Sequence, residues 1–413
     1  MSFTGQITNV STYRESLDWL YNTQLFGVKL GLENISRLAE ALDAFPPKNC
    51  KVIHVAGTNG KGSTCAMVES IARAAGFKTG LFTSPHLVRF NERIQIDGQP
   101  VSDELITAGL NQIRDLVASW EPHPTFFEIT TALALRIFKD SQVNVLVAET
   151  GMGGRLDATN IIAPSVSVIT QIDLDHTQWL GNTLAQIAAE KAGIIKSGVP
   201  TIALTQASEI LDVIQDAASQ QNARLTVVDQ PLPHLSIALA GSHQAWNAAL
   251  ALRAIQAAGL EVDFGAIRKG LSSVSWPGRF QLAANGQIIL DGAHNPAASA
   301  RLSQTWREAF GDAKPTVVIG LLADKDAAGI VRELVPIGRE FVTVPVRSQR
   351  GVHPEVLANQ LRDAGVQFVK AADSLKSALG QCSGPILITG SLFLVGEALA
   401  LLDETELPEV GNQ

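Results

Sequence analysis

Short apolar runs alternate with helical stretches along most of the chain. The runs at 52–56, 143–148, 166–172 and 201–204 are mostly apolar and do not alternate strictly between apolar and polar residues, which is typical of strands buried on both faces of a sheet. Helical spacing follows at 63–75, 184–195 and 209–219. This rhythm predicts an α/β fold, in which helices cover both sides of a mostly parallel sheet.

A second series of the same kind begins near Phe280. Its strand candidates, each followed by helical spacing, lie at 287–290, 316–319, 341–344 and 386–389. Pro277 and Gly278 mark a linker between the two series. We therefore predict a P-loop-type, mostly parallel sheet domain in residues 1–278 and a smaller Rossmann-like α/β domain in residues 279–413. Ligands of open parallel sheets bind at the carboxyl ends of strands, so we expect a site in the cleft between the domains.

Composition narrows the class of partner. The net charge of −8 argues against binding to nucleic acid or to an anionic membrane, which needs a basic surface. The three cysteines, Cys50, Cys65 and Cys382, form no CxxC pair, which favours reduced thiols. We see no signal peptide and no apolar run of about 18 residues. We expect a cytoplasmic monomer that acts on small molecules.

The sharpest local feature is the sequence AGTNGKGST at 56–64, between a predicted strand and a predicted helix. Its glycines let backbone N–H groups turn toward an anion, and the helix N-terminus adds partial positive charge. Lys61 can reach a terminal phosphate, and Ser63 or Thr64 can cap the helix or approach a metal. Gly62 replaces the usual Ser or Thr after the lysine. An ordinary glycine-rich turn is the alternative. The candidate nucleotide contacts are Gly57, Thr58, Asn59, Gly60, Lys61, Gly62 and Ser63.

The loop GTNGKGS resembles that of the folylpolyglutamate synthase and dihydrofolate synthase family, which is related to the Mur ligases. Mur ligases usually place Ser or Thr directly after the lysine, so Gly62 favours the folate branch. The resemblance continues in family order over most of the chain, through SPHL (84–87), FE (127–128), ETGMGGRLDATN (149–160), DHT (175–177), EKAGI (190–194), PGRF (277–280) and DGAHNP (291–296).

This resemblance implies that the enzyme uses ATP and Mg²⁺, with two metal ions and K⁺ as a further candidate. Ser84, Glu149 and His176 would ligate Mg²⁺. Lys191 would be carboxylated by CO₂, because a carbamate supplies an oxygen ligand where an ammonium repels the cation. Each residue also has an interpretation without a metal. These are a helix cap for Ser84, a surface charge for Glu149, a hydrogen-bonded loop histidine for His176, and a lysine paired with Glu190 for Lys191.

Further ATP contacts of the resembled family correspond to Asn247, Arg279 and Asp291. An arginine at the linker and an acidic group beyond it would let both domains bind one nucleotide. The domains would then exclude water from a labile intermediate. Asp291 has a structural alternative, as the cap of a helix near 297–310. Together with Lys61, His294 is the candidate catalytic residue, as a group that orients the amino acid or the phosphate.

The resemblance also implies a pterin site. Aromatic rings suit a pterin or an aminobenzoate, although an aromatic pair more often belongs to a core. The segment 30–34 resembles a family segment near the pterin. The candidate substrate residues are Thr125, Phe126, Phe127, Glu128, Leu156, Asp157 and Ala158.

The implied activity is an ATP-dependent ligation of L-glutamate to dihydropteroate and to folates through an acyl phosphate. Three alternatives stay open at this point. One is a regulatory P-loop NTPase, which needs neither Arg279 nor Asp291. Another is a Mur-type ligase with a different carboxylate substrate, although the loop begins at residue 57, where we expect no room for an additional N-terminal substrate domain. The third is a folylpolyglutamate synthase without dihydropteroate activity.

Overall fold

The computed structural model describes residues 11–26 and 31–409, so Leu30 and the first ten residues of the segment searched for a signal peptide lie outside it. The chain forms two compact units that divide after Val274, near the boundary predicted after residue 278. The second unit also takes in Leu87–Phe90 and Ala238–Ala245, two short segments that the sequence did not predict there.

The first unit is built on an eight-stranded sheet with the order β4-β3-β2-β5-β1-β6-β7-β8. All neighbouring strands are parallel except the pairs β2–β3 and β3–β4, which are antiparallel. The strands are β1 (Lys51–Ala56), β2 (Thr79–Phe82), β3 (Ile94–Ile96), β4 (Gln99–Pro100), β5 (Val145–Glu149), β6 (Val166–Ile169), β7 (Thr201–Leu204) and β8 (Leu225–Val228).

Ten helices in the described part of the chain accompany this sheet. They are α1 (Tyr13–Asn22), α2 (Glu33–Ala41), α3 (Lys61–Ala74), α4 (Asp103–Val117), α5 (Phe126–Asp140), α6 (Thr177–Leu180), α7 (Leu184–Ala192), α8 (Ser208–Gln220), α9 (His243–Ala257) and α10 (Phe264–Ser273). The central pair, β1 and α3, is almost entirely buried: every β1 residue after Lys51 is buried, and so is α3 from Gly62 to Ala72. The loop that joins them is therefore held at both ends by core elements.

The second unit has a six-stranded sheet with the order β13-β12-β11-β14-β10-β9, in which only β9 is antiparallel to its neighbour. Its strands are β9 (Gln281–Ala283), β10 (Ile288–Leu290), β11 (Thr316–Ile319), β12 (Glu340–Thr343), β13 (Val369–Ala371) and β14 (Ile386–Thr389). Its helices are α11 (Pro296–Phe310), α12 (Ala327–Leu334), α13 (Pro354–Asp363), α14 (Leu375–Leu379) and α15 (Leu392–Leu402).

Strand β11 shows why its sequence is an unbroken apolar run. Val317 and Ile319 pack into one core cluster, whereas Val318 packs into another. Successive side chains of a strand point to opposite faces, so both faces of this sheet are covered. The predicted α/β class is confirmed in both units.

The segment Leu87–Phe90 is held closely by other residues of the second unit. A Cβ at Gly396 of α15 would lie 2.0 Å from the Leu87 carbonyl oxygen, so glycine is required for this approach. The Glu409 amide donates to the Val88 carbonyl at 2.9 Å, and the Phe90 amide donates to Glu409 Oε2 at 2.6 Å. Residues near the end of the described chain therefore pack against and bond the segment Leu87–Phe90, which directly follows the SPH motif.

Element boundaries differ from prediction at one functionally relevant place. Helix α3 begins at Lys61 rather than at residue 63, because left-handed Gly60 ends the loop one residue before the lysine. The hairpin of β3 and β4 and the edge strands β8, β9 and β13 were not predicted. No helix in residues 11–26 or 31–409 is both long enough and apolar enough to cross a membrane.

We predict that Gly270→Ala destabilises the first unit by about 1–3 kcal/mol, the usual cost of overpacking. A Cβ at Gly270 on α10 would lie 2.6 Å from the Ile71 Cα on α3, which is backbone and cannot move aside easily. The urea midpoint of unfolding measures the effect. Gly380→Ala, whose new Cβ would meet nothing closer than 3.6 Å, is the matched control. Equal midpoints for the two variants would contradict the packing argument.

Candidate active site

Two glycines shape the loop between β1 and α3. Gly57 and Gly60 have φ angles of 151° and 86°, which side-chain-bearing residues rarely adopt. A Cβ at Gly57 would lie 1.8 Å from the Thr170 hydroxyl, and one at Gly60 would lie 2.7 Å from Asn247 Oδ1. The loop therefore presses against the end of β6 on one side and against Asn247 on the other, so the structure brings Asn247 to the loop.

The predicted nucleotide contacts Thr58 and Asn59 anchor the loop to the chain that follows β6. Their amides donate to the Gln171 carbonyl at 2.7 and 3.2 Å. The Thr58 hydroxyl donates to the Asp173 carbonyl and accepts from the Asp173 amide, both at 3.1 Å. The Asn59 side-chain amide donates to the Asp173 carboxylate at 2.8 Å. These two side chains thus fix the position of the loop.

The beginning of α3 is the part of the loop that suits an anion. The first amides of a helix, here those of Lys61, Gly62 and Ser63, have no intrahelical partners, and the N-cap Gly60 has no side chain to bond them. Together with the helix dipole, amides of this kind favour negative charge.

Lys61 and Glu149 meet at the carboxyl ends of two adjacent strands. Lys61 Nζ lies 3.8 Å from Glu149 Oε1 and 3.4 Å from the Thr58 carbonyl oxygen. Glu149 ends β5, is 5% exposed, and accepts a hydrogen bond from the Ser84 amide at 3.2 Å. The structure therefore brings together Lys61, Glu149 and Ser84, which the sequence placed in three separate motifs.

Lys191 points at the same loop from α7. It is 4% exposed, and its Nζ donates to the Gly57 carbonyl at 2.8 Å. Burial lowers the pKa of Lys191 to about 7, with Lys61 adding repulsion. An amine with such a pKa is partly neutral near pH 7, and the neutral form is the one that reacts with CO₂. The alternative of a solvated lysine paired with Glu190 is wrong, because Glu190 bonds Arg155 instead.

His176 lies on the exposed loop after β6, in the left-handed region with a φ of 50°. Its amide donates to Asp175 Oδ1 at 2.9 Å, and its Nε2 lies 4.0 Å from the same oxygen. Asp175 and Asp173 also act on Lys191 through their charges. The chain after β6 thus brings acidic groups toward the loop.

The segment predicted to bind substrate begins α5, and two of its residues form a capping box. The Thr125 amide and hydroxyl donate to Glu128 Oε2 at 2.7 and 2.8 Å, and the Glu128 amide donates back to the hydroxyl. Both residues are buried. Their side chains therefore define where the helix begins.

The two phenylalanines of this segment have different surroundings. Phe126 is buried and stacks on Tyr21 with ring centroids 5.8 Å apart. Phe127 is only partly buried and lies 6.0 Å from the Phe82 ring. A Cβ at Gly151 would lie 2.5 Å from the Phe127 ring, so the glycine-rich chain after β5 packs directly on it. Of the pair, Phe127 is the more accessible ring.

Leu156, Asp157 and Ala158 follow that glycine-rich chain. Leu156 is partly buried, whereas Asp157 and Ala158 are buried at the start of a 3₁₀ helix, Ala158–Ile161. The Asp157 carboxylate accepts from the Met152 amide at 2.9 Å and from the Thr159 amide at 3.0 Å. Burial raises the pKa of Asp157, and these bonds oppose the rise.

In the second unit, Asp291 follows β10 and binds the linker. Its carboxylate accepts from the Phe280 amide at 2.8 Å and from the Ala293 amide at 2.9 Å. Desolvation raises the pKa of Asp291, and the nearby Arg279 opposes the rise. The alternative of Asp291 as a helix cap is wrong, because Asn295 caps α11 by accepting from the Ala298 amide at 2.8 Å.

His294 lies between Asp291 and this cap. Its Nδ1 is 2.7 Å from the Gly292 carbonyl oxygen, so Nδ1 carries a proton and donates to it. Arg279, Asp291 and His294 are therefore grouped at the carboxyl end of β10.

Comparisons with known proteins agree with this arrangement. The model of the Mur ligase middle domain matches residues 55–230, and that of the Mur ligase glutamate ligase domain matches residues 278–392. The dihydrofolate synthase/folylpolyglutamate synthase of Escherichia coli K12 is 37% identical over 94% of each chain. The chain belongs to this family of Mur ligases.

Two solved structures of the family resemble this one over almost the whole chain. The E. coli FolC complex with DHPP and ADP has a TM-score of 0.86 at 35% identity, covering 98% of this chain and 99% of that one. The bifunctional folylpolyglutamate synthase/dihydrofolate synthase of Yersinia pestis, complexed with AMPPNP and a Mn ion, has a TM-score of 0.85 at 32% identity, covering 96% and 100%.

The side chains at the loop fit a hard divalent cation. The Glu149 carboxylate and the Ser84 hydroxyl are oxygen donors of the kind that Mg²⁺ prefers. Thr64 Oγ1, in the first turn of α3, is buried and has no hydrogen-bond partner among the described residues. No three His, Cys, Asp or Glu side chains converge as a metal group within residues 11–26 and 31–409.

Sequence reasoning missed the residues that support the loop, Thr170 and Asp173. Both occupy ordinary positions after an apolar strand, and neither belongs to a phosphate-binding pattern. The signal that could have found them is the order of strands in the sheet. Strand β6 pairs with β1 in parallel, so the residues that follow β6 lie beside the residues that follow β1.

Proposed function

We propose that this protein is an ATP-dependent ligase that joins L-glutamate to dihydropteroate and to reduced folates through an acyl phosphate. The observation that carries the proposal is the cluster of Lys61, Glu149 and Lys191 around a glycine loop, in a chain of which 94% matches a dihydrofolate synthase/folylpolyglutamate synthase. A purely regulatory NTPase would not need the second unit's glutamate ligase fold.

The reaction requires two anions, ATP and a carboxylate, to meet. The acceptor carboxylate attacks the γ-phosphorus, the bond to the bridging oxygen breaks, and ADP leaves. Lys61 and the amides at the start of α3 stabilise the charge that spreads over the transferring phosphoryl group. The amino group of glutamate then attacks the acyl carbonyl, phosphate leaves, and an amide remains.

Site residues are assigned by family correspondence and supported by their positions. Gly57, Gly60, Lys61, Gly62, Ser63 and Asn247 bind the phosphates, while Thr58 and Asn59 hold the loop in position. Arg279 and Asp291 contribute to nucleotide binding, and His294 orients the amino acid or the phosphate. The residues that would hold Mg²⁺ are Ser84, Glu149, His176 and Lys191, the last as a carbamate. The bound cation would neutralise phosphate charge. A second ion and K⁺ are part of the proposal, as is a monomer.

The pterin is proposed to bind beside the exposed face of Phe127, with Leu156 and Asp157 close by. Thr125, Phe126, Glu128 and Ala158 contribute by fixing the start of α5 and of the 3₁₀ helix.

The second candidate function is polyglutamylation alone. Coupling assays with dihydropteroate and with tetrahydrofolate, each with glutamate and MgATP, distinguish the two. Extension of tetrahydrofolate without glutamate-dependent ADP release from dihydropteroate would leave only the single activity.

Lys61→Ala should lower kcat about 100- to 1,000-fold on every acceptor, as does loss of other groups that stabilise transition-state charge. The phosphoryl group is common to both reactions, so both should fall together. ADP release at saturating MgATP measures the effect. Lys51→Ala removes an exposed lysine at the start of β1 and should leave kcat unchanged. Near-normal kcat for Lys61→Ala would refute its role.

Lys191→Ala should lower turnover about 100-fold, the scale expected when metal coordination is disturbed. Added formate or acetate should restore part of it by supplying the missing oxygen ligand. Lys196→Ala is the control, since Lys196 Nζ bonds the Asn160 carbonyl instead, and carboxylates should not stimulate that variant. An unmodified ammonium at Lys191 in the high-resolution density of an active, nucleotide-bound enzyme would contradict the carbamate.

Phe127→Ala should change the ratio of dihydropteroate to tetrahydrofolate activity. The two acceptors present their carboxylates at different distances from the pterin, so one catalytic centre must bind the pterin in two registers. Loss of the ring should affect these registers unequally. The ratio of kcat/KM values measures this. Phe264→Ala, at a side chain that is 66% exposed on α10, should leave the ratio unchanged. A Phe127→Ala variant with an unaltered ratio would count against the shared pterin site.

A further inference from the structure

A buried histidine lies in the central strand of the first unit and has no part in the mechanism above. His54 is fully buried in β1 among the apolar residues Val52, Ile53 and Val55. Its Nε2 is 2.8 Å from the Thr159 hydroxyl. Strand β1 leads directly into the phosphate loop, whereas Thr159 belongs to the 3₁₀ helix that begins at Ala158. The contact therefore joins the nucleotide-binding strand to the proposed pterin site.

The hydrogen bonds beyond Thr159 have a definite direction. The Thr159 hydroxyl is also bonded to Asp157 Oδ1. An ionised carboxylate only accepts, so the hydroxyl proton goes to Asp157, and the hydroxyl oxygen accepts from His54 Nε2–H. Burial lowers the pKa of His54 to about 3, with Lys196 adding repulsion. The ring is consequently neutral, with its proton on Nε2.

The other ring nitrogen shows what this arrangement costs. His54 Nδ1 is buried and has no hydrogen-bond partner among the described residues. Leaving a buried acceptor unpaired destabilises a fold, and an apolar side chain in this strand would avoid it. What the histidine contributes in return is one donor, directed at Thr159.

We propose that His54 and Thr159 are positioning residues for the pterin substrate, which they serve by holding the Asp157 carboxylate in place. The inference rests on the proposed function. Asp157 is fixed from two sides, since Thr159 bonds Oδ1 and the Met152 amide bonds Oδ2 at 2.9 Å. The Gly151 amide also bonds this carboxylate. An ionised carboxylate accepts hydrogen bonds from N–H donors, and the amino group and ring N–H of a pterin are donors of this kind.

The same carboxylate also positions the aromatic side of the site. Through the Met152 amide it closes the glycine-rich chain that begins at Gly151, and Gly151 packs against the Phe127 ring at a distance that leaves no room for a Cβ. A shift of Asp157 would therefore change both the hydrogen-bonding group and the ring surface offered to the pterin.

Direct binding measurements test the inference. Thr159→Val keeps the shape of the side chain but removes the hydroxyl, and His54→Leu removes the donor. Both should raise the Kd for dihydropteroate about tenfold, the effect of losing a hydrogen bond to a charged group. The Kd for a non-hydrolysable ATP analogue should stay within about twofold. His54→Gln and Thr159→Ser, which keep the donor and the hydroxyl, should bind dihydropteroate nearly as the wild type does.

The double variant and a matched control separate positioning from general destabilisation. If His54 acts through Thr159, His54→Leu combined with Thr159→Val should bind no more weakly than Thr159→Val alone. Thr201→Val removes a buried hydroxyl on β7 that has no hydrogen-bond partner among the described residues, and should leave both Kd values unchanged. If His54→Leu does not fold, Thr159→Val and His54→Gln still decide the matter.

Three results would overturn the inference: an unchanged dihydropteroate Kd in folded Thr159→Val, equal weakening of both ligands, or additive losses in the double variant. Each would occur with wild-type protein that binds dihydropteroate normally. Wild-type protein that fails to bind dihydropteroate would remove the proposed function, and this inference with it.

Discussion

The active site depends on how a single loop is attached to the strand beside it. The backbone after Gly57 bonds the chain that follows β6, and Gly57 itself passes so close to Thr170 that no side chain would fit. Because β1 and α3 are buried on either side, the loop cannot relax away from these contacts. The amides at the start of α3 are therefore oriented before any anion arrives, which is the condition for strong electrostatic stabilisation.

Charge is arranged around this rigid loop in an unusual way. Two lysines approach it from α3 and α7, and Glu149 lies beside Lys61 at the end of β5. Burial of two amines near each other disfavours the charged form of the more deeply buried one, which explains why the pKa of Lys191 falls so far. Conversion of that amine to an anionic group would exchange a repulsion for an attraction toward a cation and toward Lys61.

The sequence predicted what periodicity and short motifs can encode. The α/β class and the position of most parallel strands follow from apolar runs, whereas the grouping of Lys61, Glu149 and Ser84 in one site was implied by the family resemblance. It could not distinguish the side chains that face a ligand from those that hold the fold. Thr125 and Glu128, which were expected at the substrate, also form a capping box, and Asn295 rather than Asp291 caps α11. A motif indicates that a residue is important for function. Only the three-dimensional contacts show which groups that residue bonds. His54 was missed because one polar residue does not interrupt an apolar strand pattern.

The contacts of Gly396 and Glu409 with the segment Leu87–Phe90 have a consequence for folding during translation. These residues are synthesised well before Gly396 and Glu409, which hold them. During translation the segment Leu87–Phe90 therefore lacks these contacts until Glu409, which lies 319 positions after Phe90, has been added. The packing of this segment, next to the proposed metal ligand Ser84, is therefore a late step in folding. A fragment that ends at the linker would carry every nucleotide motif of the first unit and still lack the residues that this segment packs against.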